Sequence, residues 1–489
     1  MPASHSDGPT STTSFRGNSP SLGDNGPNRR VLLLSKQFNE SGHTGGFRWW
    51  SIVRDLVQEG WTFDVLTVAG AEAAPPSPPS GHPSHSAVEI HTVPPDWWAQ
   101  PIRRAAAGAV ETLRDAMDKA FEGEKPGDSS PEAVDPAEAK PWKPGDRQPW
   151  KEQIGYDMVG ATVLLTESVW AWRAYWTGRD LARKREYAAV VATSPNFQGQ
   201  VAAALLNRQF GIPYVADFRN LWYYGFGCMN DFIDDAQRVA NRIMERWALP
   251  RADAIVHITE AARDAHTQAT QSWMPEVPRY YVPNGYDAVT EPVPPPDPST
   301  FRVAHTGWVY PFNDVRPLMA TCGRFRRRHD LAADEFCLEF MGSGTECGGV
   351  SYDDLARAYG IDDCFAAHPR RPREGARRLQ QAAAVKVAFD YPHGRQIPSK
   401  LYHYAQTRGN LLLLGNPNGA MADEAAKIGE SVLALENEAG MDRILDDAYA
   451  RWQAGAFTEP IDAEGRFSIR RASERMHKIL EGLPAPAQT

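Results

Sequence analysis

The hydrophobic positions of this chain change their spacing twice between residues 384 and 415. Continuous apolar runs at 385–389 and 410–414 predict two short buried strands. Between them, residues 399–407 have the apolar spacing of a helix. Buried strands that alternate with helices are typical of a parallel α/β sheet.

The same alternation runs through both halves of the chain and predicts two such sheets. The predicted strands lie at 31–34, 61–68, 88–93, 187–193, 212–217, 254–259 and 280–283, and then at 301–306, 337–341, 385–389, 410–414 and 431–435. Residues 291–299 hold five prolines and predict a linker between the halves. The fold class is therefore α/β, with two Rossmann-like doubly wound domains that face a cleft.

The domain boundaries follow from these patterns and from the 489-residue length, which exceeds what one hydrophobic core supports. The predicted segments are a disordered tail at 1–28, a first domain at 29–290 with an insert at about 94–150, the linker at 291–299, a second domain at 300–460, and a C-terminal helix and tail at 461–489. A helix is expected within the insert, around 103–121.

Neither a secretion signal nor a membrane span is predicted. The tail lacks a basic and apolar leader, and the apolar run after Arg29-Arg30 ends at Ser35. Glu167 and Arg173 interrupt the longest apolar region, 158–176. We expect a cytoplasmic protein. The aromatic residues of the amphipathic segment 150–184 leave two interpretations open, contact with the inner face of a membrane or packing on a neighbouring helix, and the second is favoured.

Composition excludes several kinds of partner. A net charge of −9 and a pI near 5.8 argue against nucleic acid, so any basic site must be local. Five scattered cysteines without a C-x-x-C spacing predict neither a disulfide framework nor a zinc site. Acidic pairs such as Asp362-Asp363 are better explained as solvated helix ends than as metal ligands, and the same holds for Asp231 with Asp234-Asp235.

The start of the helix at 399–407 is the first candidate site. Ser399, after Pro398, is a candidate N-cap, and Lys400 places a cation in the first turn, where the helix dipole disfavours one. A bound anion would explain that position. A solvated surface lysine is the alternative.

Loops after the first-half strands supply further candidates. Gly45 and Gly46 could let backbone approach a ligand or form a plain tight turn, and the pattern is not G-x-G-x-x-G. Asp217 and Arg219 directly follow a strand and should face the cleft. The alternative there is an Asp217–Arg219 salt bridge beside a structural Trp222.

Four stretches together resemble the GT-B-fold retaining glycosyltransferases of the family-4-like group. They are PYVADFRNLW at 213–222, VPNGYD at 282–287, TGWVY at 306–310 and IPSKLYHYA at 397–405. The resemblance spans roughly residues 30–480. It implies that the second domain binds a nucleotide-diphosphate sugar while the first receives a hydroxyl acceptor, with no metal and no other cofactor.

The resemblance also implies roles for individual residues. Lys400 and Arg395 would act on the diphosphate, and His43 would contact the acceptor, with Asp217 and Arg219 behind it. The donor would also meet the residues Gly45, Gly46, Gly307, Arg370, Arg371, Gly394, Pro398, Ser399 and His403. Two features depart from the family pattern: Arg395 and His403 occupy the places of a glutamate pair, and no phosphate-gripping Arg or Lys is evident at 308–314.

The function implied is sugar transfer with retention, in surface polysaccharide or glycoconjugate synthesis, onto a carbohydrate or lipid-linked acceptor. Fixed cations would stabilise the leaving diphosphate, and no protein nucleophile is needed if the leaving phosphate takes the acceptor proton. Two alternatives remain: a sugar-nucleotide 2-epimerase of the same fold, and a non-catalytic sugar-nucleotide-binding partner.

Overall fold

The computed structural model describes residues 28–39, 44–68, 87–93, 150–194, 197–220, 222, 235–274, 276–287, 292–310, 312–342, 344–391 and 394–487. The predicted tail at 1–28 (apart from Asn28), the helix around 103–121, most of the insert at about 94–150, His43, Asp231 and Asp234 lie outside the described residues.

The first sheet has seven parallel strands in the order β3-β2-β1-β4-β5-β6-β7. The strands are β1 (Arg30–Leu34), β2 (Thr62–Val68), β3 (Val88–Val93), β4 (Ala189–Thr193), β5 (Tyr214–Phe218), β6 (Ala254–His257) and β7 (Arg279–Tyr281). The helices are α1 (Thr44–Gln58), α2 (Trp150–Ala182), α3 (Gln198–Phe210), α4 (Asp235–Ala248) and α5 (Glu260–Thr270). Continuous burial of the central strands explains their predominantly apolar sequences.

The second sheet has six parallel strands in the order β12-β9-β8-β13-β14-β15. The strands are β8 (Phe301–Thr306), β9 (Phe336–Met341), β12 (Phe365–His368), β13 (Val385–Phe389), β14 (Asn410–Leu414) and β15 (Val432–Leu433). The helices are α6 (Arg316–Arg328), α7 (Tyr352–Tyr359), α8 (Arg373–Ala382), α9 (Ser399–Ala405), α10 (Ala420–Ala426) and α11 (Glu438–Gln453). Two parallel α/β sheets confirm the predicted fold class.

A small hairpin, β10 (Glu346–Cys347) and β11 (Val350–Ser351), was not predicted. Its turn is Gly348-Gly349, and both glycines have positive φ, 59° and 80°. A Gly-Gly pair at this position is the usual signal of a two-residue hairpin, so the sequence did contain the information.

The last helix, α12 (Ile469–Glu481), packs on the first sheet's layer although it follows the second sheet in sequence. Ile469 and Met476 are buried in the same core as strand β1. The Ser473 hydroxyl donates to Asp55 on α1 over 2.8 Å. We call β1 to β7 with their helices and α12 the first lobe, and β8 to α11 the second lobe.

The aromatic segment on α2 divides between core and surface. Trp170 is buried, and the Tyr175 hydroxyl donates to Gln209 on α3, as packing on a neighbouring helix predicts. Trp172 and Trp176 are 56% and 41% exposed. No helix in the described part of the chain is long and apolar enough to cross a membrane.

Candidate active site between the lobes

The loops at the carboxyl ends of the two sheets touch each other. Thr259, directly after β6, donates its hydroxyl to the carbonyl of Arg395 over 2.6 Å. Gln396 donates its side-chain amide to Asn220 Oδ1, after β5, over 2.7 Å. We call the space bordered by these loops the crevice, and it is where parallel sheets bind ligands.

Lys400 lies in the first turn of α9, with its side chain against Gly307 at the end of β8. A Cβ on Gly307 would overlap the Lys400 side chain, and the φ of Gly307 is 122°, which side-chain-bearing residues rarely adopt. Gly342, at the end of β9, packs against Gly307 from behind. Glycine at 307 is therefore required for the lysine to reach this position.

Basic groups surround the Lys400 ammonium. Its burial, and then the positive charges of Arg370 and Arg373, lower the pKa of Lys400 to about 8. Burial also lowers the pKa of His403, with Lys400 and Arg373 adding to the effect, so the imidazole is neutral at pH 7. An anion bound here would relieve the repulsion between these groups and keep Lys400 charged.

The basic loop of the second lobe also reaches the first lobe. The Arg373 guanidinium lies 3.7 Å from the centre of the Phe47 ring on α1, which is a cation–π distance. The side chains of Arg370, Arg371 and Arg395 are exposed. Arg373 of the second lobe thus faces the start of α1 across the crevice.

The predicted N-cap needs a correction. Pro398 occupies the N-cap position of α9, Ser399 is the first helical residue, and no side chain caps the helix. The helix has seven residues and ends at Ala405, two residues before the predicted end. Side-chain cations therefore supply more of the local charge than the helix itself does.

A hydrogen-bonded cluster fixes α9 to the second sheet. The Tyr404 hydroxyl accepts the N–H of Thr306 over 2.9 Å, and Gln380 on α8 donates to the Thr306 hydroxyl over 2.8 Å. Tyr404 and Thr306 are buried. These bonds hold α9, and with it Lys400, in one orientation relative to β8.

Glycines shape the loop before α9. Gly394 has a φ of 61°, and a Cβ there would meet Asn416 and Gly419. Beneath them lies Asp390, whose Oδ1 accepts the Tyr391 N–H over 2.7 Å and whose Oδ2 is buried without a partner. Burial raises the pKa of Asp390 to about 7. This carboxyl was not singled out in the sequence, where a single Asp after a strand carries no signal of burial.

Asp217 is fully buried on the first-lobe side of the crevice. Trp49 Nε1 donates to its Oδ2 over 2.7 Å, as does the Thr193 hydroxyl over 2.8 Å, and Arg48 Nη2 lies 3.4 Å from its Oδ1. This carboxylate is too buried to contact an acceptor, so it could act on one only by positioning the residues that are bonded to it. Arg48 and Trp49 were missed, because a GGFRWW sequence does not reveal which side chain turns inward.

Arg219 does not pair with Asp217, so the salt-bridge alternative is wrong for this pair. The partner of Asp217 is Arg48. Trp222 is buried as that alternative expected, stacked on Phe197 at 5.8 Å, with its indole N–H donated to Asn241. Gly45 and Gly46 lie in the first turn of α1, where a Cβ on Gly46 would overlap Asn39.

One group of potential metal ligands exists in the described residues, away from the crevice: Asp64, Glu89 and His91. The Arg185 guanidinium already bridges Asp64 and Glu89, and Arg30 also pairs with Asp64. Guanidinium groups therefore occupy the positions that a metal ion would need.

Comparison with known proteins agrees with this geometry. Residues 142–285 match the family model of the Glycosyl transferase 4-like domain. No curated protein sequence matches the chain.

Solved structures share the two-lobed fold at low identity. Sucrose-phosphate synthase from Thermosynechococcus elongatus is 11% identical, with a TM-score of 0.52 over 93% of this chain and 98% of that one. Trehalose-6-phosphate from E. coli bound with UDP-2-fluoro glucose is 10% identical, with a TM-score of 0.55 over 93% and 100%. The trehalose 6-phosphate synthase of Burkholderia multivorans is 13% identical, with a TM-score of 0.54 over 92% and 96%.

The family match and the shared fold agree with the resemblance predicted from the sequence: the chain has a GT-B fold and contains a glycosyl transferase 4-like domain at residues 142–285.

Proposed function

We propose that the protein transfers a sugar from a nucleotide-diphosphate sugar to a hydroxyl acceptor, with retention of anomeric configuration. The observation that supports this most is the Lys400 ammonium, held against Gly307 among Arg370 and Arg373 at the edge of the crevice. Three cations at one place in the crevice suit an anionic ligand, and a pyrophosphate accepts charge-assisted hydrogen bonds from such groups.

The chemistry requires charge stabilisation more than a protein base. The bond from the anomeric carbon to the β-phosphate oxygen breaks, and the acceptor oxygen bonds to that carbon on the same face. The acceptor proton passes to the leaving phosphate oxygen, which gives a nucleoside diphosphate and the glycoside. Lys400 and Arg395 would stabilise the leaving group, and the neutral His403 imidazole could hydrogen-bond the donor.

We propose the following roles for the remaining predicted residues. Arg370 and Arg371 would border the nucleotide, and the backbone of Gly307, Gly394, Pro398 and Ser399 would surround the diphosphate. Gly45 and Gly46 would close on it from α1, and His43 and Arg219 would face the acceptor. Asp217 would position Arg48 and Trp49 rather than touch a substrate.

A first donor to test is suggested by the E. coli trehalose-6-phosphate neighbour, which is bound with UDP-2-fluoro glucose. Calorimetry against UDP, GDP and ADP should identify one that binds, and a screen of the matching sugar nucleotides should detect slow donor hydrolysis. In the same assay Lys400→Ala should lose about 10²–10³-fold in turnover. Lys478→Ala removes an exposed lysine of α12 and should change nothing.

Other results would point elsewhere. Unchanged turnover in Lys400→Ala would remove this lysine from the site. Formation of the 2-epimeric sugar without an acceptor, detected by NMR of the mixture, would indicate the 2-epimerase. Tight nucleotide binding without any turnover would indicate a non-catalytic partner.

We further propose a carbohydrate or lipid-linked acceptor in surface polysaccharide or glycoconjugate synthesis, met at the cytoplasmic membrane surface. The exposed Trp172 and Trp176, with the Arg179 guanidinium 4.7 Å from the Trp176 ring, support peripheral contact with anionic lipid. Sedimentation with phosphatidylglycerol vesicles should be weakened in the Trp172→Ser, Trp176→Ser double variant. Equal sedimentation of both proteins would argue against this surface.

A further inference from the structure

Arg219 stands on the first-lobe wall of the crevice, directly after β5. Its backbone N–H donates to the Ser194 hydroxyl over 2.9 Å, and its carbonyl accepts a hydrogen bond from Gln396 of the second lobe over 3.4 Å. The backbone is therefore fixed from both lobes. The Arg219 side chain extends from the loop after β5. This loop contacts Gln396, which precedes Lys400 in the sequence.

The guanidinium of Arg219 is only partly compensated: the nearby Asp217 charge favours its protonated form, but Asp217 makes its ion pair with Arg48. Asp217, two residues earlier, pairs with Arg48, and both of its oxygens are already hydrogen-bonded. No ion pair joins Arg219 to any acid in the ranges that the structure describes, and its Nε is fully buried without a hydrogen-bond partner. Burial, and then the charge of Arg48, lower the pKa of Arg219 to about 10.

Two neighbouring cations therefore differ in what they do. Arg48 is 2% exposed and is held by the carbonyls of Val282 and Pro283 together with Asp217, so it completes the interior of the lobe. Both arginines have a buried Nε without a hydrogen-bond partner, but no hydrogen bond or ion pair with a described residue holds the Arg219 guanidinium. A buried charge that the protein leaves unpaired is costly unless a ligand pairs with it.

We infer that Arg219 binds an anionic phosphate ester on the acceptor, next to the hydroxyl that is glycosylated. This rests on the proposed glycosyl transfer. The two Nη groups of a guanidinium form a fork that matches two phosphate oxygens, and Arg48 cannot leave its carbonyl partners to compete. Arg219 belongs to the first lobe, whereas Lys400, Arg370 and Arg373 belong to the second, so the two sets of cations suit two different anions.

A phosphate ester could come from a soluble sugar phosphate or from a lipid phosphate, and the experiment uses one probe for each. Glucose 6-phosphate is titrated against glucose, and farnesyl phosphate against farnesol, into the full chain with and without saturating UDP. At least one phosphate should bind more tightly than its unphosphorylated partner. The probe that does so identifies the source of the ester.

The variants test the residue. Arg219→Gln should weaken the bound ester at least about tenfold, as expected for a lost charge-assisted pair, while UDP affinity stays unchanged. Arg219→Lys should weaken it less, because the charge remains and the fork is lost. Arg208→Gln, at an exposed arginine on α3, should bind like the unaltered protein.

Three results would overturn the assignment: neither ester binding better than its alcohol, equal ester affinity in Arg219→Gln, or a loss of UDP affinity in that variant instead. If Arg219→Gln does not fold by circular dichroism, Arg219→Lys decides alone, and equal ester affinity there overturns the assignment. Ester binding without any nucleotide binding would refute the proposed transferase function but would still support an anion site at Arg219. The two failures are therefore distinguishable.

Discussion

At the scale of single residues, the functional consequence of Lys400 is a pH dependence of binding. Its pKa near 8 in the ligand-free protein means that part of the population is neutral in mildly alkaline buffer. A bound diphosphate favours the charged form and raises that pKa, so binding above pH 8 requires uptake of a proton. Well below pH 8 the lysine is almost fully protonated, and this penalty becomes small.

We therefore predict that UDP affinity is nearly constant from pH 6.5 to 7.5. At higher pH the affinity should fall, and the loss should approach about tenfold for each further pH unit. Calorimetry in two buffers of different ionisation enthalpy should show proton uptake that rises above pH 8. Lys400→Met should bind weakly, with no such dependence. A wild-type profile that is flat to pH 9.5 would mean that the Lys400 charge does not contact the diphosphate.

The residue scale also shows what sequence reasoning can reach. Lys400 and Asp217 could be named because Asp217 lies at the carboxyl end of a predicted strand and Lys400 lies in the helix that follows another, so both are expected at the same edge of a sheet. The partner of Asp217 could not be named, because Arg48 and Arg219 are equally plausible cations in a linear sequence. Pairing depends on which side chain the packing of α1 turns inward, and only the folded lobe determines that.

At the scale of elements, α12 is the helix whose placement matters most for stability. Its apolar residues, among them Ile469 and Met476, complete the first-lobe core beside β1. A second bond joins the lobe to α12: Trp61 Nε1 donates to His477 over 2.9 Å. The end of the chain is therefore a structural part of the lobe that begins it.

We predict that Met476→Ala destabilises the protein by about 2–5 kcal/mol, the usual cost of a cavity at a fully buried methionine. Urea unfolding measures the loss, and hydrogen exchange locates it: exchange should accelerate in β1 and α1 and not in β13. Glu474→Ala, on the exposed side of the same helix, is the control. Faster exchange confined to β13 would contradict this placement of α12.

The sequence could predict that α12 exists but could not predict where it packs. Spacing of apolar residues shows that one face of the helix is buried. It does not say which lobe covers that face, since both lobes are α/β layers with similar apolar surfaces. The strands were easier, because each apolar run is bounded by turn residues and its neighbours follow from the parallel α/β pattern.

At the scale of the whole molecule, the relation between the lobes depends on a few side-chain contacts across the crevice. Arg373 lies over Phe47, and the Tyr281 hydroxyl of the first lobe donates to Glu424 of the second over 2.9 Å. The first contact involves the same arginine that depresses the pKa of Lys400. Closure of the lobes and the charge at the proposed donor site are thereby linked through one residue.

We predict that Phe47→Leu favours separated lobes and weakens UDP binding by about 2–10-fold. Leucine keeps apolar volume at a buried position but removes the π face, and a cation–π contact contributes about 0.5–2 kcal/mol. If only the closed form binds nucleotide well, the lost contact lowers its population and the apparent affinity together. Small-angle scattering without ligand should show a larger radius of gyration than for the unaltered protein.

The control for this prediction is Phe38→Leu, which removes a buried ring from the first-lobe core, where no arginine of the described residues faces it. It should lower the melting temperature without changing the ligand-free radius of gyration or UDP affinity. Saturating UDP should bring Phe47→Leu back to the dimensions of the unaltered protein, because ligand binding supplies the free energy that the missing contact no longer provides. An expanded Phe38→Leu protein, or a Phe47→Leu protein with unchanged dimensions and affinity, would show that Arg373 closes on something other than the Phe47 ring.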